Sequence, residues 1–118
     1  DVYKRQLQSL ENLSGLENLE ELWVGKNKLT SFKGIEALKN LRVLSIQSNR
    51  LTKLENLENL TKLEELYFSH NGISTLENLE HNVNLNTLDL AANQVSQIEN
   101  VGHLKKLSQF WVRSLKPC

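Results

Sequence analysis

Leucine and its apolar substitutes recur along this chain with a period of 22 residues. Leu22, Leu44, Leu66 and Leu88 form one row, continued by Phe110, and Leu19, Leu41, Leu63, Leu85 and Leu107 form a second row three positions earlier. Five residues after each of the first four comes an asparagine: Asn27, Asn49, Asn71 and Asn93. The segments LEELWVGKNKL, LRVLSIQSNRL, LEELYFSHNGI and LNTLDLAANQV share the template LxxLxLxxNxL. Within it, residues such as Leu22 and Val24 alternate, which puts both on one face of a short strand. Leu29, Phe32, Ile35 and Leu38 then supply apolar positions for the return path. The same set recurs as Leu51, Leu54, Leu57 and Leu60, and again as Ile73, Leu76 and Leu79, where Asn82 interrupts the last row.

One such coil is too thin to bury its own leucines, so the pattern predicts stacked coils with one continuous core. This is the signature of a leucine-rich repeat. The predicted fold is an α/β leucine-rich-repeat solenoid of about five repeats. Short parallel strands line its concave face, and the short coil leaves room for extended or 3₁₀ return arcs. At about 4.8 Å per strand, five strands make a ribbon about 20 Å across. The asparagine row Asn27, Asn49, Asn71, Asn93 is read as scaffold. A carboxamide offers donors and an acceptor to backbone groups that turn inward where the strand ends.

Counting back one period from the second coil puts Asp1 on the row of Trp23 and Arg5 on the row of Asn27. Residues 1–6 therefore match the template poorly. So do residues 113–118, where Leu115 takes the asparagine row. The expectation is a single domain over 1–118, a piece of a longer array whose caps are missing.

Lys plus Arg and Asp plus Glu each total 14. That balance argues against a nucleic-acid partner, which a basic excess would favour. No apolar run is long enough to span a membrane, so no membrane partner is expected either. The one cysteine, Cys118, cannot form the disulfide-bonded caps common in secreted repeats of this type, so an intracellular setting is expected. The sequons at Asn12 and Asn59 read as chance occurrences in an asparagine-rich chain.

No catalytic site is legible. GxGxxG, GxxxxGK[ST] and HExxH are all absent from the sequence. Glu55, Glu77 and Glu99 stack on one row of the arc, which reads as a solvated ridge. His81 and His103 sit one period apart and read as solvated residues, with no cysteine or carboxylate cluster to complete a metal site. Neither enzyme activity nor a cofactor is expected.

The strand positions alternating with the core leucines face outward: Glu21, Trp23, Gly25; Val43, Ser45, Gln47; Glu65, Tyr67, Ser69; Thr87, Asp89, Ala91; Gln109, Trp111, Arg113. Their central row reads Trp23, Ser45, Tyr67, Asp89, Trp111. Both tryptophans of the chain lie on it, and Trp and Tyr are enriched at binding hot spots. Glu21, Glu65 and Asp89 make this face mildly acidic, suited to a partner offering Lys or Arg beside apolar groups.

Beyond the general repeat, LEELWVGKNKLT, LRVLSIQSNRLTKLENL, LEELYFSHNGIS and LDLAANQVSQIENVGHLKKLSQFW resemble the leucine-rich-repeat regulatory subunits of type-1 protein phosphatase. Non-core residues carry this likeness too, including Gln47-Ser48-Asn49-Arg50 and Ser69-His70-Asn71-Gly72. The resemblance implies a non-catalytic subunit of nucleus and cytoplasm. Such a subunit binds the phosphatase catalytic subunit through its concave face, often with a small disordered inhibitor protein as third partner. It also implies contact roles on the outward row. Trp23 takes the place of a family aromatic, Asp89 matches a family aspartate and Trp111 a family tryptophan. Gln109 stands where the family carries glutamate. A structural adaptor using the same repeats in a ciliary or splicing assembly is the alternative expectation.

Overall fold

The computed structural model describes residues 2–4, 15–25 and 29–112. Among the described residues six short strands pair in parallel and in chain order into one sheet: β1 Val2–Lys4, β2 Glu21–Trp23, β3 Val43–Ser45, β4 Glu65–Tyr67, β5 Thr87–Asp89 and β6 Gln109–Trp111. The leucine row is the register. Leu22, Leu44, Leu66, Leu88 and Phe110 stand opposite one another across four successive strand pairs. The arcs are extended chain and turns, with one 3₁₀ turn, Ile35–Ala37, among the described residues. This is the solenoid that the period predicts.

The first coil departs from the count. Tyr3 pairs with Leu22 and Lys4 with Trp23, so Lys4, not Asp1, occupies the row of Trp23. The step from position 3 to position 22 is 19 residues. Strand pairing tolerates this shorter loop because register is set by the strand's own alternation and not by loop length. Asn27, Arg5 and residues 113–118 lie outside the described residues.

The core is one column of inward leucines. Leu22, Leu44, Leu66 and Leu88 have no exposed surface, and neither have Leu38, Leu60, Leu63 and Leu85 on the arcs. Phe32 and Phe68 stack inside it, with ring centroids 5.0 Å apart.

Among the asparagines that join coil to coil are two regularly spaced sets. In the first, Asn49 donates to the carbonyls of Val24, Ile46 and Gln47 while its Oδ1 accepts from Leu29 N, each at 3.1 Å. Asn93 repeats this two coils further on, donating to Phe68 O, Leu90 O and Ala91 O and accepting from Ile73 N. The residues before Asn49, Asn71 and Asn93, which are Ser48, His70 and Ala92, are left-handed with φ near 57–59°.

The second set serves the backbone of the arcs. Gly34, Asn56, Asn78 and Asn100 fall 22 apart and all have positive φ, 102°, 61°, 61° and 59°. Glycine and asparagine reach this region at least cost. Asn78 and Asn100 also donate to Leu54 O at 2.6 Å and Leu76 O at 2.8 Å, in the preceding coil.

Asn82 is fully buried where neighbouring coils carry leucine. Its amide donates to Leu57 O and Leu60 O at 2.9 and 3.0 Å, but its Oδ1 has no partner. Both carbonyls already accept backbone bonds, from Leu60 N and Leu63 N. Asn82→Leu therefore removes an orphaned acceptor without orphaning a carbonyl. It should raise the unfolding free energy by about 1–3 kcal/mol, read as a higher melting temperature; a lower one would contradict the account. His103, expected to be solvated, is half-buried, with Nε2 2.7 Å from Leu79 O, whereas His81 is exposed.

Candidate functional site

The concave face is not a uniform outward row. Val43, Ser45 and Thr87, expected to face solvent, are buried at 4–5% exposure. The cause is the longer side chains on either side of them. Trp23 on β2 and Tyr67 on β4 lean toward each other across Ser45 on β3 and stack, with centroids 6.2 Å apart and planes 21° apart. Glu21 and Glu65 flank Val43 in the same register. Thr87 turns its hydroxyl to Asn86 Oδ1 at 2.8 Å.

Each stacked ring is tied to the carboxylate two residues before it on its own strand. Trp23 Nε1 donates to Glu21 Oε1 at 3.1 Å, and the Tyr67 hydroxyl donates to Glu65 Oε1. Residues two apart share a face of a strand, so the acid and the aromatic meet without any change in the backbone. The result is a paired aromatic platform, half-buried, with an acid at each end. Asp89 on β5 comes next in the row, and its Oδ1 accepts from Ala91 N at 3.1 Å. Trp111 on β6 closes the row and is 48% exposed, while Gln109 beside it is exposed. Trp23, Tyr67, Asp89 and Trp111 thus share one face and one register row. The two tryptophans differ in setting: Trp23 is packed and Trp111 open.

Tyr67 carries the electrostatic signature of this arrangement. Burial, then the hydroxyl bond to Glu65, then the charges of Glu65 and Asp89 push its pKa from 10.0 up to about 12. The neutral phenol is thereby favoured in the folded state. Its stabilising contribution is fully present below the ordinary value of 10.0 and is lost as pH rises through about 12. In an ultraviolet titration one tyrosine should ionise late, and Tyr67→Phe should remove that late phase. A single phase near the ordinary value in the unsubstituted chain would contradict the packing.

Beside the face, Arg42 lies between Glu20 at 3.4 Å and Glu64 at 3.2 Å. A groove of about 470 Å³ along this edge is lined by Arg42, Lys62, Glu64, Asn84, Asn86 and Lys106. Lys62 and Lys106 donate to Asn40 Oδ1 and Asn84 Oδ1. These are exposed ladders between like positions of successive coils. Among the described residues no group of His, Cys, Asp and Glu is placed to hold a metal ion, and no helix is long and apolar enough to cross a membrane.

The profile of the family described as "Leucine Rich repeats (2 copies)" matches residues 39–81 and 61–108. Among solved structures, an internalin C2 (inlC2) from Listeria monocytogenes superposes with a TM-score of 0.84 at 33% identity, covering 89% of this chain and 46% of that one. An internalin (inlF) from the same organism gives 0.81 at 27% identity, covering 89% and 32%. The leucine-rich-repeat ectodomain of the receptor kinase SOBIR1 from Arabidopsis thaliana gives 0.74 at 31% identity, covering 96% and 67%. The chain thus spans less than half the length of the internalins it matches. No curated protein matches its sequence.

Proposed function

The chain belongs to the leucine-rich repeat family, and from that premise we propose that it is a non-catalytic regulatory subunit that docks the catalytic subunit of type-1 serine/threonine protein phosphatase. The fold itself is a repeat scaffold suited to protein binding. The observation that carries the finer reading is the row Trp23, Tyr67, Asp89, Trp111 in strand register on one open face, with Gln109 at its rim. Trp23, Asp89 and Trp111 are the positions at which the sequence resembles the phosphatase regulators, and Gln109 departs from their glutamate. Large aromatics fixed by their neighbours lose little entropy on binding, and the carboxylates of Glu21, Glu65 and Asp89 favour a partner with basic residues. In this reading the fold contributes surface and no chemistry. A small disordered inhibitor would join as a third component, in the nucleus and cytoplasm.

The test is isothermal titration of the purified phosphatase catalytic subunit with this chain. Saturable binding that weakens in Trp111→Ala supports the reading. Absence of binding by the folded chain rejects the partner, and equal binding by the variant rejects Trp111 as part of the docking site.

A further inference from the structure

Asn71 is followed by Gly72, the one Asn-Gly pair in the chain. Asn-Gly is the dipeptide in which a backbone amide can most easily reach the preceding carboxamide, because glycine puts no side chain in the way. The equivalent asparagines Asn27, Asn49 and Asn93 are followed by Lys28, Arg50 and Gln94. We infer that Asn71–Gly72 is a self-modification site that the folded solenoid holds closed and that reacts when this coil opens, making the opening permanent.

The closure is visible at both reacting groups. Asn71 Nδ2 donates to Ile46 O at 2.9 Å, Phe68 O at 3.0 Å and Ser69 O at 3.4 Å, and its Oδ1 accepts from Leu51 N at 3.1 Å. The carboxamide is thus fixed between its own coil and the one before. The nucleophile is occupied as well, because Gly72 N donates to Leu51 O at 2.7 Å. Neither group can turn toward the other until the bonds joining these two coils break.

The chemistry then needs only water. The Gly72 nitrogen attacks Asn71 Cγ and a C–N bond forms, closing a cyclic succinimide. The Cγ–Nδ2 bond breaks, and ammonia leaves with the proton given up by the Gly72 nitrogen. Water opens the ring at either carbonyl, leaving aspartate or isoaspartate at position 71. Neither product can re-form the joint. An aspartate side chain offers only acceptors, yet it would face the carbonyl oxygens of Ile46, Phe68 and Ser69. Isoaspartate also lengthens the backbone by a methylene in the turn that leaves β4. The damage falls next to Tyr67 and the aromatic platform.

The glycine is not required by the fold, which makes the lability a property of this sequence and not of the architecture. Gly72 is outside the left-handed region, and an added Cβ would sit 3.4 Å from Leu51 O and from Thr52 Cγ2, at contact distance. Gly72→Gln, which copies Gln94 in the next coil, is therefore a variant that folds but blocks the attack.

The full chain is incubated at mildly alkaline pH in native buffer and in urea, and position 71 is followed by peptide mapping for amide loss and isoaspartate. Conversion in urea should outpace that of Asn49 and Asn93, and should be roughly a hundredfold slower in native buffer, where it waits on local opening. Gly72→Gln should keep the melting temperature and lose the conversion. After urea is removed, converted chains should fail to recover the native melting transition while unconverted chains recover it. Equal rates at Asn71 in the two buffers would overturn the closure. A rate in urea no faster than that of Asn49 and Asn93, or undiminished conversion in Gly72→Gln, would overturn the site. Native refolding of converted chains would overturn the one-way opening.

Discussion

Leu66→Ala should lower the unfolding free energy by about 2–5 kcal/mol. Leu66 is the central residue of β4, has no exposed surface, and stands in register with Leu44 on one side and Leu88 on the other. Removing its branched end leaves a void shared by three coils, and the side chains around it cannot collapse because each is fixed by its own strand pairing. In a stacked architecture the coupling between neighbours carries the stability. A cavity at the middle therefore weakens two interfaces at once. In urea the midpoint should fall, and a reduced slope would show the two halves melting separately. Leu16→Ala is the control, since Leu16 is 40% exposed and has far less surface to lose. Equal losses in the two variants would mean that the leucine column is not the source of stability.

How much of this could be read in the sequence follows from what periodicity encodes. A period of 22 places every coil on its neighbour, so the inward leucines and the first asparagine row were legible from spacing alone. Local context was less so. The positive-φ row Gly34, Asn56, Asn78, Asn100 repeats as faithfully as the leucines. Its asparagines sit inside LENL segments at Asn56 and Asn78 and an IENV segment at Asn100, whose charged and apolar residues have an explanation of their own that hides the backbone role. Side-chain reach is another matter. Alternation assigns Ser45 and Thr87 to the outward face correctly, yet says nothing of Trp23 and Tyr67 closing over Ser45. Burial on a concave surface depends on the size of the neighbours two strands apart, information that lies 44 residues away along the chain, from Trp23 to Tyr67. Asn82 is legible as a break in the leucine row, whereas its bonds to two carbonyls and its unpartnered oxygen depend on the folded packing. The shortened first coil escaped because a count by period assumes equal loops.

Trp111→Ala and Trp23→Ala should separate binding from folding on the same face. Each should weaken capture of the phosphatase catalytic subunit by about 2–4 kcal/mol if both act as hot spots. Their effects on the free chain should differ. Trp111 is 48% exposed on β6, so its removal should leave the melting temperature nearly unchanged. Trp23 stacks on Tyr67, donates to Glu21 and covers Ser45, so its removal breaks a ring pair worth about 0.5–1.5 kcal/mol. It also exposes a patch that the fold keeps dry. Tyr67 should report this directly. Without the indole its hydroxyl environment becomes wetter, and its pKa should fall back from about 12 toward 10.0, because burial is the largest cause of the shift. Trp23→Ala should thus lose binding, some stability and the late tyrosine ionisation together, whereas Trp111→Ala should lose binding alone. If Trp111→Ala binds as well as the unsubstituted chain while Trp23→Ala does not, the docking surface is confined to the β2–β4 platform. If neither variant loses affinity, the partner uses another face of the solenoid.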